Sequence, residues 1–291
     1  MSAEFLTRLR IELPTSVSTD HQELAASRVD KSGWVADGTP IAIVHARSIA
    51  EVQATLRLAT EFRIPVVTRG AGTGLAGGAC GGAGSVVLSV AGMNRILEIR
   101  PEDELAVVEP GVINQHLNDA LAEHGLWFAP DPASKAISSV GGNIATNAGG
   151  LLCAKYGVTR EAVLGLKVVL ADGRLLEMGH RTVKGVTGYD LTALMTGSEG
   201  TLGVIVEATV RTRRIVQGTT VTLGAVFPDV TTAAAASARL IAAGVGPAVM
   251  ELLDPVALTA IGGVTRRCGR RASPASRAPA RDRGEDPRCQ W

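Results

Sequence analysis

The densest glycine stretch of the chain is the first candidate for a binding site. It reads RGAGTGLAGG at residues 69–78 and follows a predicted strand. Glycines let the backbone turn sharply and approach a ligand closely, and successive backbone N–H groups in such a loop can form a concave site for an anion. Because Arg69 adds a positive charge beside the loop, the stretch favours a diphosphate as its ligand. A turn-rich loop without a ligand is the alternative.

Two common nucleotide-binding motifs can be compared with this stretch. Gly72, Gly74 and Gly77 fit the dinucleotide pattern GxGxxG. That pattern needs a helix directly after the glycines, because the helix N-terminus receives the pyrophosphate. Here the glycines continue through GGACGGAG into apolar strand residues, so the context argues against a Rossmann site. A phosphate-binding P-loop is also excluded, since no glycine here precedes Lys and then Ser or Thr.

A second candidate is the segment at residues 127–157, WFAPDPASKAISSVGGNIATNAGGLLCAKYG. It shows neither helical nor strand periodicity, and long structureless loops in a compact domain usually carry function. The four cysteines of the chain form no CxxC pair and have no histidines at metal-ligand spacing. We therefore predict no metal site and no disulfide framework.

Apolar patterns predict the elements that position these two segments. A strand at residues 41–45, a helix that the capping box of Ser48 and Glu51 opens, and a strand at 64–68 lead into the glycine stretch. Strands at 85–90, 95–100 and 105–109 follow, and the last two form an antiparallel hairpin. A helix at 113–124 ends at Gly125. A hairpin at 163–178 and a strand at 202–210 complete the domain.

The pattern changes after residue 214. A strand at 221–227, a helix at 231–243 and a strand at 248–253 predict the beginning of a second domain. Residues 265–291 contain no Leu, Ile or Val but eight arginines, a composition that cannot bury enough apolar area to fold. The predicted organisation is an N-terminal segment at 1–40, a binding domain at 41–214, a partial domain at 215–264 and a disordered tail at 265–291.

Overall composition favours neither nucleic acid nor a membrane as a partner, although electrostatic binding of nucleic acid or an acidic partner by the Arg-rich tail stays an alternative. The 291 residues include 29 basic and 28 acidic side chains, and a net charge of +1 gives no field that would recruit nucleic acid. No apolar run reaches the roughly 18 residues of a transmembrane helix, and the N-terminus lacks the pattern of a secretory signal. A cytoplasmic location is the resulting expectation.

Five ordered motifs resemble the FAD-linked oxidase family, whose FAD-binding domain is of the vanillyl-alcohol-oxidase or PCMH type. The similarity is to the branch of D-lactate dehydrogenases and glycolate oxidase catalytic subunits. The motifs are PVVTRGAGTGLAGGA from residue 65, PDPASKAISSVGGNIATNAGG from 130, KYG from 155, GLKVVLADG from 165 and GYDLTALMTGSEGTLGVIVEATV from 188. The resemblance implies an α+β fold in which two mixed subdomains hold FAD, followed by the start of an α+β substrate (cap) domain.

The resemblance also implies which residues contact the cofactor. The glycine loop would wrap the FAD pyrophosphate through its backbone, the second segment would flank the flavin and diphosphate, and the GSEGTLGVI run would line the adenosine or the flavin. For Val204 and Ile205 an ordinary place in a strand core is the alternative. With Arg69 from the charge argument, the predicted cofactor residues are Arg69, Gly70, Ala71, Gly72, Thr73, Gly74, Asp131, Ser139, Gly141, Gly142, Asn143, Thr146, Gly200, Gly203, Val204 and Ile205.

The implied reaction is oxidation of a 2-hydroxy acid of the D-lactate or glycolate type to the 2-keto acid. Thr73 stands in the loop region where some relatives carry a histidine that binds flavin covalently, so noncovalent FAD is expected. The catalytic residues are left unassigned, because the chain has no histidine after His180 and no segment like GHxGDGNxH, which in relatives supplies a base and metal ligands. The alternative is a truncated, noncatalytic FAD-binding remnant. The electron acceptor, or a partner subunit that receives the electrons, stays open.

Overall fold

The computed structural model describes residues 2–182 and 184–269. The chain divides into two compact units, Met1–Gly218 and Thr219–Trp291. In the described part of the chain, no helix is both long and apolar enough to cross a membrane.

The first part of the larger unit is a mixed four-stranded sheet with helices. Strands β2, β4 and β3 run parallel, and β1 pairs antiparallel with β2 in the order β1-β2-β4-β3. The side chain of Ser48 caps α3 by accepting from the amide of Glu51, as the capping box predicts. Phe5 and Leu9 of α1 are fully buried in the core of this layer. The elements are α1 (Ser2–Glu12), β1 (Val17–Ser18), α2 (His21–Ala26), β2 (Ala42–His45), α3 (Ile49–Glu61), β3 (Val66–Arg69) and β4 (Val86–Ser89).

The second part is a five-stranded antiparallel sheet in the order β5-β6-β10-β8-β9, with a separate apolar core. The two predicted hairpins are present as β5-β6 and β8-β9. The elements are β5 (Ile96–Arg100), β6 (Leu105–Val108), α4 (Asn114–Ala122), β7 (Leu126–Trp127), α5 (Val140–Ala145), α6 (Cys153–Tyr156), a 3-10 helix (Thr159–Ala162), β8 (Val163–Val169), β9 (Leu175–Gly179), α7 (Leu191–Met195), β10 (Val204–Arg211) and β11 (Arg213–Arg214). Mixed helices and sheets in two layers confirm the predicted α+β class.

The sequence prediction was wrong in treating residues 127–157 as structureless, because β7, α5 and α6 lie there. Helix α5 has the sequence VGGNIA, and its two glycines give it little intrinsic helix propensity. Val140 and Ile144 are fully buried in the second core, so tertiary packing holds this short helix. Local sequence alone does not reveal such an element.

The smaller unit consists of two described helices, α8 (Val230–Ala242) and α9 (Pro255–Gly269). Helix α8 matches the predicted helix within a residue at each end. The strands predicted at residues 221–227 and 248–253 are not strands in this structure, and Leu223 and Val226 are 91% and 100% exposed. An extended apolar segment forms a strand only when a neighbour accepts its hydrogen bonds. Helix α9 runs past residue 265, where the tail was predicted to begin, and residues 270–291 of that tail lie outside the described residues.

Candidate cofactor site

Three separate segments of the larger unit enclose one cavity of about 830 Å³. They are the glycine loop that follows β3, the segment that contains α5, and the turn between α7 and β10. Asp30 and Lys31 of the N-terminal segment also line it, together with Val90 and Pro110. The predicted cofactor residues that line it are Gly70, Ala71, Gly72, Thr73, Gly74, Ser139, Gly141, Gly142, Asn143, Thr146, Gly200, Gly203 and Ile205.

The glycine loop offers free hydrogen-bond donors to this cavity. Among the described residues, the backbone N–H groups of residues 70–75 have no acceptor. Gly70, Gly72, Thr73 and Gly74 are half-buried, and half-buried N–H groups are normally paired. The unpaired donors of this loop are therefore suited to an anionic ligand. Gly72 has a φ of +68°, and a Cβ there would lie 2.5 Å from a guanidinium nitrogen of Arg69. Only glycine fits this position without strain.

Arg69 does not line the cavity, contrary to the expectation that it faces the diphosphate. Its guanidinium donates to the carbonyl of Ala79 at 2.7 Å and to that of Val29 at 3.0 Å. These bonds tie the end of the glycine loop to the N-terminal segment. Both terminal nitrogens of Arg69 thus donate to backbone carbonyls, so its position here is that of a support for the loop.

The N-terminal segment contributes residues that the sequence analysis missed. The amide of Lys31 donates to the carbonyl of Gly72 at 3.2 Å, which places Asp30 and Lys31 against the glycine loop. Burial alone would raise the pKa of Asp30. Hydrogen bonds from the hydroxyl and amide of Ser32 lower it by more, so the pKa lies below the ordinary value. The carboxylate is therefore charged at neutral pH. The sequence analysis missed this segment because it carries no motif. Only a contact between residues far apart in the sequence brings it to the site.

Close packing of backbone fixes the second segment against the first. Ser139 caps α5 by accepting from the amide of Gly142. A Cβ on Gly70 would lie 2.6 Å from the hydroxyl of Ser139, and a Cβ on Gly141 would lie 2.5 Å from Pro110. Asn143 is 3% exposed, and its Nδ2 has no partner among the described residues. The glycines of this segment thus allow two backbone segments to meet at the cavity wall.

Asp131 and Val204 are the other predicted residues that do not line the cavity. One carboxylate oxygen of Asp131 accepts from the amide of Leu152 at 3.1 Å, so this side chain joins two parts of the loop. Val204 is 3% exposed and belongs to the first apolar core. Side chains alternate along a strand, and in β10 this puts Ile205, not Val204, at the cavity.

The lining contains two non-glycine residues with unusual backbone conformations, Glu199 in the third segment and Asn147 just after α5 in the second. Glu199 has a φ of +51° and Asn147 a φ of +47°, in the region that L-residues rarely adopt. The amide of Glu199 donates to the carbonyl of Ala145 at 2.8 Å, which links this turn to α5. Non-glycine residues held in this conformation are common at functional sites. Of the run GSEG at residues 197–200, the sequence analysis assigned only Gly200 to the cofactor and missed Glu199.

The geometry fits a dinucleotide cofactor. The volume lies in the range of about 300–1,000 Å³ that ligand sites occupy. The free amides of residues 70–75 provide donors for a diphosphate, and close backbone packing shapes the remaining wall. Among the described residues of the lining, only Asp30, Lys31 and Glu199 are titratable. Backbone dipoles therefore carry most of the complementarity to a diphosphate.

Comparison with known proteins decides the family. The profile of the family described as "FAD binding domain" matches residues 40–179, and that described as "FAD linked oxidases, C-terminal domain" matches residues 217–275. The chain is a member of the FAD-linked oxidase family. FAD is therefore the cofactor for which this oxidase domain is built.

Curated relatives of this chain include enzymes of hydroxy acids. The chain is 45% identical over 222 residues to the glycolate oxidase subunit GlcD of Bacillus subtilis, covering 76% of this chain and 47% of that protein. It is 44% identical over 201 residues to a D-2-hydroxyglutarate dehydrogenase of Stutzerimonas stutzeri, covering 69% and 43%. A mitochondrial D-lactate dehydrogenase (cytochrome) of Arabidopsis thaliana is 36% identical over 259 residues, covering 89% and 45%. The chain spans about half the length of these relatives.

Solved structures agree on the fold. An alkyldihydroxyacetonephosphate synthase matches with a TM-score of 0.71 and 24% identity, covering 85% of this oxidase chain and 47% of the other. p-Cresol methylhydroxylase matches with a TM-score of 0.64 and 24% identity, covering 73% and 43%.

Proposed function

We propose that this chain supplies the FAD-binding part of an oxidoreductase that oxidises a 2-hydroxy acid to the 2-keto acid. The observation that carries the proposal is the cavity whose wall combines the free amides of residues 70–75 with the closely packed glycines of the second segment. The curated relatives named above, a glycolate oxidase subunit and dehydrogenases of D-lactate and D-2-hydroxyglutarate, support the substrate class.

The division of labour follows from the lining. When bound, FAD would supply the hydride-accepting chemistry for oxidation of the carbinol carbon. The residues of this chain would bind and orient the cofactor: the amides of residues 70–75 would hold the diphosphate, and the segment with Ser139 and Asn143 would contact other parts of it. Because these contacts come from backbone atoms or from small side chains, the cofactor can lie close to the backbone of the chain.

Noncovalent binding of FAD is part of the proposal. A covalent flavin link needs a nucleophilic side chain at the cofactor, usually histidine or cysteine. Among the described residues of the lining there is neither, and Cys80 and Cys153 lie outside it. Burial raises the pKa of the Cys80 thiol, which keeps it protonated and unreactive.

A second candidate function is a flavin-binding protein that does not oxidise the acid by itself. Oxidation needs a base for the hydroxyl proton and a cation for the substrate carboxylate. Among the described residues of the lining, Lys31 is the only cation, and no histidine is present. We propose that the base and the carboxylate-binding cation come from outside this lining. The electron acceptor, a partner subunit and the cytoplasmic location stay predictions.

A visible absorption spectrum of the purified chain, reconstituted with FAD and made anaerobic, tests both candidates. D-lactate, glycolate and D-2-hydroxyglutarate are added in turn. Bleaching of a bound flavin by one acid supports the proposed oxidation, while a bound flavin that no acid bleaches favours the second candidate. Gly70→Val is the negative control, because its side chain would collide with the Ser139 hydroxyl at the cavity wall and should prevent FAD binding. A folded chain that binds no FAD contradicts both candidates.

A further inference from the structure

Helix α4 begins in an unusual way. Its N-cap residue, Ile113, makes no side-chain hydrogen bond to the helix. Two of the amides that a helix start leaves free are instead paired with the loop at residues 128–138, which we call the PDP loop. The amide of Asn114 donates to the carbonyl of Ser138 at 2.9 Å, and the amide of Gln115 to that of Lys135 at 3.0 Å. The loop therefore caps the helix with its own backbone.

Two asparagine side chains of α4 hold the other end of the PDP loop. The Nδ2 of Asn114 donates to the carbonyl of Pro130 at 3.0 Å. Asn118 accepts from the amide of Phe128 at 2.9 Å and donates to the Oδ1 of Asn114 at 3.2 Å. The two asparagines thus connect the helix to Phe128 and Pro130, at the beginning of the loop.

The burial of Asn114 points to a specific purpose. It is 0% exposed, and burying an amide costs free energy unless its polar atoms are hydrogen-bonded. An apolar side chain of similar volume would fill the same space without that cost. The buried amide of Asn114 is explained by its hydrogen bond to the backbone carbonyl of Pro130 in the PDP loop.

The PDP loop forms one wall of the cofactor cavity. Pro132, Ala133, Ser134 and Ile137 line it, whereas neither Asn114 nor Asn118 does. Any influence of the two asparagines on the cofactor must therefore pass through the loop. A displacement of this wall would change both the fit of the flavin and its surroundings.

We propose that Asn114, supported by Asn118, is a positioning residue that fixes the PDP loop against the bound cofactor. The proposal rests on the proposed function only in taking the cavity to be the FAD site. It predicts that loss of the Asn114 donor loosens this one loop and weakens FAD binding, while both sheets keep their stability.

The test compares three variants of the full chain. Asn114→Asp keeps the size of the side chain and its acceptor for Asn118 but removes the donor to Pro130. Asn118→Ala removes the acceptor for Phe128. Gln115→Ala is the matched control on the same helix, because it removes only the exposed bond between Gln115 Nε2 and Asp119 Oδ1. For each variant we would measure the FAD dissociation constant, the visible circular dichroism of the bound flavin and amide exchange along the chain.

The expected result is a rise of about tenfold in the FAD dissociation constant of Asn114→Asp, because the buried hydrogen bond to Pro130 is lost and a carboxyl oxygen then faces that carbonyl. The flavin dichroism should change, and exchange should accelerate within residues 128–138 but not in the strands. Asn118→Ala should change the same quantities by less, and Gln115→Ala none of them.

Two results would overturn the proposal. One is an unchanged dissociation constant and dichroism in Asn114→Asp. The other is exchange that accelerates equally throughout both sheets, which is the mark of a general stability role. If Asn114→Asp does not fold, the same criteria apply to Asn118→Ala. Failure of the unsubstituted chain to bind FAD would contradict the proposed function instead, and the exchange pattern would still decide whether the asparagines hold the loop.

Discussion

Two loops that line the cavity are built in opposite ways. The glycine loop at residues 70–75 has six amides without an acceptor among the described residues. The PDP loop at 128–138 is bonded to helix α4 at Pro130, Lys135 and Ser138. One loop keeps its backbone donors for a ligand, and the other uses its backbone to stay in place.

This difference shows how a site can be both open and ordered. A loop with unpaired donors needs support from elsewhere, and the Arg69 guanidinium and the amide of Lys31 provide it from behind. The PDP loop presents apolar and small side chains to the cavity, so it must only be held at a constant distance from the ligand. The following predictions change a support of the glycine loop, a close contact in the cavity wall, or the cap of the helix that leads to the third cavity segment.

The largest effect is expected from Gly141→Ala, on the anchored side. A Cβ at this position would lie 2.5 Å from Pro110 Cβ and 2.9 Å from its carbonyl oxygen, and the backbone there cannot yield cheaply. We expect a loss of about 3 kcal/mol in the free energy of unfolding, measured by urea titration. Gly149→Ala is the control, because its Cβ would meet Cys153 at an ordinary 3.6 Å. Equal stability of the two variants would show that the close contact does not matter.

The next effect concerns the support of the glycine loop. Arg69→Lys should weaken FAD binding by about 2 kcal/mol, because a single ammonium cannot replace a guanidinium that reaches the carbonyls of both Ala79 and Val29. Calorimetric titration with FAD at two salt concentrations measures it. If Arg69 acted as a counter-charge to the diphosphate, the lysine would substitute well and the salt dependence would reveal it. A support role leaves the salt dependence unchanged.

A smaller effect is expected where the two sides touch. Gly70→Ala should cost about 1 kcal/mol of unfolding free energy, since the new Cβ would lie 2.6 Å from the Ser139 hydroxyl. The neighbour here is a side chain, so Ser139→Gly in the same chain should remove most of that cost. The double-mutant cycle from urea unfolding gives the coupling. Additive effects of the two substitutions would mean that a side chain at position 70 makes no steric contact with Ser139.

The smallest effect lies at the helix that leads into the third cavity segment. Hydrogen bonds from the Thr192 hydroxyl and the Ala193 amide lower the pKa of the Asp190 carboxyl, which caps α7. A folded-state pKa below the unfolded value means that the stabilisation is present above about pH 4 and is lost as the pH falls through the folded pKa. Asp190→Asn should therefore lower stability by less than about 1 kcal/mol at pH 6. The difference from the parent chain should shrink towards pH 3 in urea titrations, and a constant difference would refute the linkage.

Sequence patterns predicted most elements of the two sheets. Strands and amphipathic helices such as α3 carry their own periodicity, and the Asp172-Gly173 turn marks the β8-β9 hairpin. The cavity side of the glycine loop was also predictable, since its residues are consecutive and small. These features depend on neighbours along the chain.

The parts that could not be predicted depend on distant contacts. Helix α5 exists because Val140 and Ile144 are buried, and Asp30 reaches the cavity because Arg69 and Gly72 hold its segment there. Arg69 illustrates the limit best. Its charge and position in the sequence suggested a diphosphate ligand, yet both of its terminal nitrogens donate to backbone carbonyls of distant residues or of the loop end.

The most direct test of the account is a crystal structure of the chain with FAD. We predict that the diphosphate oxygens lie about 3 Å from backbone nitrogens of residues 70–75. The PDP loop should keep its bonds to Asn114 and Asn118, and Arg69 should remain on the carbonyls of Ala79 and Val29. A diphosphate bound by the Arg69 guanidinium, or FAD seated outside the cavity, would contradict the central claim.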